Sequence, residues 1–210
     1  LACGDIPLWC DYNGHPMTER QGLARVYDSD GGLAAQWDDL LPALLRADRF
    51  SAVSPAQRLA LLGELGACGR LNRHTDGLPL VSSLPLVPVF PHMRATEKPI
   101  HGRLIPADAF AVLWTGGYNT WADVDTLAGG LIEAMITEPR MHYVSTGGAI
   151  HGHDGQTFSR FRQIIDASPI AARCHFVGWV RTDEVPNYYL DADVAVSCDR
   201  WTLEGELGAR

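Results

Sequence analysis

Two stretches of the chain follow an apolar run with paired glycines and polar side chains, the combination that meets an anionic ligand. The first, Thr115-Gly116-Gly117-Tyr118-Asn119-Thr120-Trp121, comes after Phe110–Trp114. Glycines there let backbone amides approach an anion, and a following helix N-terminus adds about half a positive charge. Phosphate suits such a loop, although a tight strand-to-helix turn needs the same glycines on steric grounds alone. Tyr118 and Trp121 could close over a base or sugar ring, or pack on the next helix. The second stretch, Ser145 to Asp154, pairs Gly147 with Gly148 and adds His151, His153 and Asp154. Such a cluster binds zinc when a further ligand lies near, and none is evident, so no metal site is expected.

Other candidates are spread along the chain. Gly178-Trp179-Val180 leads into Thr182-Asp183, which reads as the cap of a helix. In Asp199-Arg200-Trp201-Thr202-Leu203-Glu204-Gly205-Glu206, the Glu204 carboxylate could accept two hydrogen bonds from a vicinal diol, or be a solvated surface group. Asp11 and His15 follow an apolar run, as a polar contact or base would. Arg70, Arg73 and His74 gather where an arginine could neutralise phosphate. For both groups, a helix end or a solvated loop would look the same.

The elements behind these residues fall into two regimes. Leu8–Tyr12 and Phe50–Val53 read as short buried strands, with helical sequence between them interrupted by Gly31-Gly32. Ser54-Pro55-Ala56-Gln57 is a helix start ahead of Leu59, Leu62 and Leu65, and Gly66 and Gly69 bracket its end. Residues 79–107 are proline-rich and lack a sustained period, which marks a linker. Beyond them strands (Phe110–Trp114, Met141–Ser145, Cys174–Val177, Val194–Cys198) alternate with helices from about Ala122, Gln156 and Asp183, the pattern of a parallel sheet. Val124, Leu127, Leu131 and Met135 make one helix face, and Phe158, Phe161 and Ile165 another. Ligands of open parallel sheets bind beyond the carboxyl ends of the strands, where the glycine loops fall.

Composition narrows the partners. A net charge of −8 with no basic run gives no support to nucleic acid or an anionic membrane, and no stretch nears the length of a membrane-spanning helix. Five cysteines without CxxC spacing suit reduced thiols in a cytoplasm. Leu1 is not an initiator Met, and Arg210 falls in what reads as the first turn of a helix, so a piece of a longer chain is expected.

FVGWVRTDEVPNYYLDADVAVSCDRWTLEGE resembles a stretch of the group 1 GT-B glycosyltransferases in order and spacing, and AVLWTGGYNTW looks like the strand and phosphate loop that open their donor domain. The likeness covers residues 108–210 well and residues 1–78 loosely. It implies an α/β fold, a GT-B-like pair of Rossmann-like parallel-sheet domains, both incomplete here. Residues 1–78 would be part of the acceptor-side domain, 79–107 the linker, and 108–210 the first part of the donor-binding domain.

The implied activity is transfer of a sugar from a nucleotide-diphosphate sugar to a saccharide or lipid-linked acceptor. It would be independent of metal or other cofactor and retaining at the anomeric carbon, in the cytoplasm or peripheral at the inner membrane surface. Glu204 corresponds to the first of the family's glutamate pair, and Gly116 and Gly117 to the glycines under the donor phosphates. Tyr118, Asn119, Gly147, Gly148, Trp179 and Val180 would line the donor, Asp11 and His15 would contact acceptor or donor, and Arg70, Arg73 and His74 would reach across. The family's basic residues beside the first loop are replaced by Tyr118, Asn119 and Trp121. Asp191-Ala192-Asp193 imitates a metal-binding carboxylate pair but precedes a strand, which favours a turn role. A nucleotide-sugar epimerase and a non-catalytic nucleotide-sugar-binding relative are the competing readings.

Overall fold

A computed structural model describes residues 4–85 and 96–208. The chain divides into two units, Leu1–Pro88 with Trp201–Arg210, and Val89–Arg200. Both are α/β with parallel strands.

The first unit runs β1 (Trp9–Tyr12), α1 (Pro16–Tyr27), α2 (Leu33–Arg46), β2 (Arg49–Ala52), α3 (Pro55–Ala67) and β3 (Val81–Ser83), with its strands parallel in the order β1-β2-β3. The start of α3 follows from its sequence: Ser54 Oγ accepts from Gln57 N at 3.0 Å, and Gln57 Oε1 accepts from Val53 N at 2.8 Å. The buried face of α3 is Gln57, Leu61 and Leu65, spaced by four, while Leu59 is exposed, contrary to the face expected from Leu59, Leu62 and Leu65. Four leucines crowded into seven positions offer two overlapping stripes, and contact with the sheet selects one. Leu40, Leu44, Phe50, Leu61, Leu65 and Val81 centre the core.

The second unit alternates regularly: β4 (Phe110–Thr115), α4 (Val124–Thr137), β5 (Met141–Thr146), α5 (Gln156–Asp166), β6 (Cys174–Gly178), α6 (Val185–Asp191) and β7 (Val194–Ala195). Its parallel sheet has the order β6-β5-β4-β7. Val124, Leu127, Leu131 and Met135 of α4 and Phe161 and Ile165 of α5 are buried on it, as their spacing predicts. β7 is shorter than expected: after Val196 N bonds Leu113 O, the chain leaves the sheet and Cys198 O accepts from Asp123 N. The expected cap at Thr182-Asp183 is not used. Asp183 pairs with Arg181 at 2.8 Å, and α6 starts two residues later, at Val185, with Pro186 in its first turn.

A final helix, α7 (Leu203–Leu207), belongs with the first unit, where it packs on α3 and α1 and its Leu207 carbonyl accepts from Ser54 Oγ. The proline-rich segment contributes β3 at its start, and Ile100 and Ile105 bury against Ala111, Leu113 and Val144 of the second unit. Asp191, at the end of α6, accepts from Ile100 N at 2.7 Å and His101 N at 3.1 Å, and Asp193 accepts from Ala111 N at 2.7 Å. This pair thus pins backbone at the amino end of the sheet. Among the described residues, Cys10, Cys68, Cys174 and Cys198 are free thiols, and no helix is long and apolar enough to cross a membrane.

Candidate functional site

Three glycines with positive φ sit side by side at the carboxyl ends of neighbouring strands: Gly116 (φ 97°) after β4, Gly147 (φ 107°) after β5 and Gly178 (φ 84°) closing β6. Gly116 N donates to Thr146 O at 2.9 Å, and Gly147 N donates to Gly178 O at 2.7 Å. A register shift between Ser145 and Thr146 brings Gly178 opposite Thr146. The amides of Gly116 and Gly147 are therefore spent between loops, and Tyr118 N is spent on Gly148 O at 3.0 Å. Among the described residues, the amides of Gly117 and Gly148 have no protein partner and are donors open to a ligand.

The aromatic residues divide differently from expectation. Tyr118 is fully buried, ring-stacked on Trp114 and Phe161, and its hydroxyl bonds Tyr143 and Ser145 at 2.7 Å each. Burial pushes its phenol pKa well up. It is a core residue and is withdrawn as a donor contact. Asn119 is also buried, its Oδ1 accepting from Thr120 N at 2.7 Å and its carbonyl from Ala122 N at 2.8 Å, so it shapes the turn. Trp179, by contrast, is exposed, at 63%. Its Nε1 donates to Ala149 O at 3.2 Å, and a Cβ on Gly117 would lie 3.3 Å from its ring and 2.4 Å from Ile150 Cγ1. Trp179 and Ile150 thus flank Gly117, which must be glycine for that approach. Val180, next to Trp179, is half-buried.

The charges at this edge are already matched. Asp123 caps α4 through Thr126, and buried Asp154 caps α5 by accepting from Gln156 N at 2.9 Å and Thr157 N at 3.3 Å. Carboxylates therefore already face both helix dipoles expected to favour phosphate. Arg200 pairs with Asp125 at 3.3 Å and Asp123 at 3.5 Å, and Arg181 with Asp183. His151 is exposed.

In the first unit, exposed Asp11 accepts from Ser51 Oγ. His15 is the N-cap residue of α1, buried, with Nε2 3.1 Å from Glu64 Oε1 and Nδ1 without a partner. Arg70 does not face outward: it donates to the carbonyls of Leu44 at 2.7 Å and Ala47 at 2.8 Å, closing the end of α2, and is withdrawn as a phosphate ligand. Arg73 and His74 stay exposed, 3.1 Å apart, in the 71–77 loop. Glu204 is buried in the first turn of α7, behind the Thr202 cap. The sequence reading missed Glu64 and Ile150, because a lone glutamate in a helix and an isoleucine beside glycines carry no local signal.

The sequence matches no protein-family model and no curated protein. Solved structures do match. HepE from Anabaena, in complex with UDP and glucose, aligns with a TM-score of 0.61 at 17% identity over 92% of this chain and 46% of its own. The fold is of the GT-B type. A UDP-forming trehalose-phosphate synthase from Burkholderia vietnamiensis gives a TM-score of 0.62 at 13% identity over 93% of this chain and 46% of its own. TarM, a further GT-B structure, gives 0.56 at 10% identity over 93% and 32%. The chain spans less than half of each of these GT-B proteins.

Proposed function

We propose that this protein is a glycosyltransferase that moves a hexose from a nucleotide-diphosphate sugar to a saccharide or lipid-linked acceptor, without metal and with retention. The donor is held by the second unit and the acceptor by the first. The observation that carries the reading is the row of Gly116, Gly147 and Gly178 at one sheet edge, with the amides of Gly117 and Gly148 left open beside the exposed Trp179. The likeness to a structure holding UDP and glucose supports the choice of ligand.

In this reading Trp179 stacks on the base, with Val180 beside it, and the two open amides bind the diphosphate. Amide donors fixed before the reaction stabilise charge developing on a leaving diphosphate without reorganising at that moment. Glu204, which α7 places in the first unit rather than the donor-binding one, is therefore not assigned to the donor, and His15 and Asp11 contact the acceptor.

A second reading, a non-catalytic nucleotide-sugar-binding relative, is favoured by one observation: both helix N-termini behind the glycine loops are closed by carboxylates, and the loop arginines are ion-paired. Thermal-shift titration of the full-length protein with UDP, GDP, ADP and their sugar conjugates, followed by a product assay, tests both. Stabilisation by one nucleotide with sugar release or transfer supports the transferase. Stabilisation without turnover selects the binding protein, and no stabilisation by any of them refutes both.

A further inference from the structure

The chain has four asparagines, and Asn13 differs from the other three in what restrains its side-chain amide. Asn72 is tied at both ends, donating to Gly69 O at 2.9 Å and accepting from His74 N at 3.0 Å. Asn119 and Asn187 are buried, their Oδ1 atoms accepting from Thr120 N at 2.7 Å and Thr96 N at 2.9 Å. Asn13 is exposed, and among the described residues its side chain has no hydrogen-bond partner. It alone of the four is followed by glycine. Gly14 shares with it the short link between β1 and α1, and the Gly14 amide is likewise unpartnered among the described residues. Glycine puts no side chain beside that nitrogen. The nearest carboxylate is that of Glu19, whose Oε1 occupies the place of a Gly14 Cβ.

We propose that Asn13-Gly14 is a site of spontaneous covalent modification, at which the asparagine becomes aspartate or isoaspartate and unseats the first turn of α1. The reaction needs only water. The Gly14 nitrogen attacks Asn13 Cγ, the Cγ–Nδ2 bond breaks, and ammonia leaves with the proton that the Gly14 nitrogen gives up, so that a succinimide ring remains. Water then opens the ring at either carbonyl. Attack at Cγ gives aspartate in an ordinary chain. Attack at the Asn13 main-chain carbonyl gives isoaspartate, whose chain runs through Cβ and Cγ and is longer by one methylene. Either product adds a carboxylate to a link that already has Asp11 before it and Glu19 against it, and like charges oppose one another there. His15 comes next in the chain. Its carbonyl accepts from Thr18 N at 3.0 Å and Glu19 N at 3.1 Å, and its ring lies 3.1 Å from Glu64, so a lengthened link pulls on the start of α1 and on its contact with α3. Asp11 and His15 flank the modified pair, so conversion should lower acceptor-dependent turnover, a consequence that rests on their reading as acceptor contacts.

The test ages the full-length protein in warm, mildly alkaline buffer and follows each asparagine by peptide mass spectrometry, with isoaspartate counted by isoaspartyl methyltransferase labelling. The peptide holding Asn13 should gain the mass of an NH2-to-OH exchange about 10-fold faster than those holding Asn72, Asn119 and Asn187, each of which must first break a hydrogen bond. Gly14→Ala, whose methyl displaces only the flexible end of Glu19, should slow the conversion several-fold, and Asn13→Gln should abolish it. The converted protein, separated by ion exchange on its added charge, should melt about 2–8 °C below the fresh protein, the loss of one helix cap, while aged Asn13→Gln melts as it does when fresh. The proposal is overturned if the Asn13 peptide keeps its mass, if it converts no faster than the other three, or if the converted protein melts with the fresh one. Conversion and melting as expected in a protein that transfers no sugar even when fresh would overturn the transferase reading alone.

Discussion

Gly147→Ala isolates the packing of the glycine row from its chemistry. Gly147 has φ 107°, outside the range that L side chains use, which costs an alanine about 1–3 kcal/mol. A Cβ there would also lie 2.1 Å from the Gly116 carbonyl oxygen and 2.6 Å from its carbon, and both are backbone atoms. Relief requires one loop to move, at about 1–3 kcal/mol. That movement strains the bonds from Gly116 N to Thr146 and from Gly147 N to Gly178, at about 1 kcal/mol each. The sum is about 4–8 kcal/mol, a fall of at least about 8–16 °C in melting temperature at about 2–4 °C per kcal/mol. Gly152→Ala is the control: Gly152 shares a positive φ of 75° but has open space around it, so it should lose only about 1–2 kcal/mol. Scanning calorimetry of both variants, checked by urea denaturation, measures the difference. If Gly147→Ala melts within about 2 °C of Gly152→Ala, the close approach of the two loops is refuted.

Trp179→Ala should weaken nucleotide binding by roughly 5–100-fold, the range of one base–aromatic stack, and leave the melting temperature nearly unchanged, since the side chain is exposed. Titration calorimetry with the nucleotide that binds checks this. Tyr118→Phe should do the reverse: it strands the hydroxyls of Tyr143 and Ser145, costs about 1–3 kcal/mol by urea denaturation, and leaves nucleotide affinity alone. Arg70→Ala, which frees the Leu44 and Ala47 carbonyls, should destabilise the first unit by about 1–3 kcal/mol and likewise not touch nucleotide affinity. His101 contributes a pH dependence. Burial alone lowers its pKa, but hydrogen bonds to Asp191 and the Ala109 carbonyl, with the charge of Asp193, outweigh it and the net shift is upward. Its stabilisation is therefore full below the ordinary value of 6.5 and is lost as pH rises through the raised one, a loss that His101→Gln should abolish in a melting series from pH 5 to 9. The stacked pair His142 and His175, whose values burial lowers, acts in the opposite sense, losing stability as pH falls.

The second unit was legible because its strands are separated by turn residues and its helices carry a single apolar stripe. Every strand start there falls where the apolar runs predict it. What the sequence concealed was which face each loop residue turns inward. Tyr118 follows two glycines, as an exposed lid would, yet an apolar pocket of Trp114, Phe158 and Phe161 already waits for its ring, with two hydroxyls to satisfy its oxygen. Arg70 lies in a cationic cluster by sequence, but its partners are carbonyls 23 and 26 residues away, a distance that no local pattern encodes. Asp154 was ambiguous for a different reason, because a capping carboxylate and a ligand-binding one occupy the same position before a helix. Glu64 becomes meaningful only once α1 and α3 bring it to His15.

The amide-to-carbonyl links among the glycine loops extend the sheet's lateral bonding one step past its strands, from Gly116 to Thr146 and from Gly147 to Gly178. Loops tied in this way inherit the spacing of the sheet and cannot lengthen or shorten independently. An insertion in one would break a link to its neighbour. In this chain, a change of ligand preference is therefore open to point substitution of side chains that project from the tied backbone, such as Trp179 and Ile150.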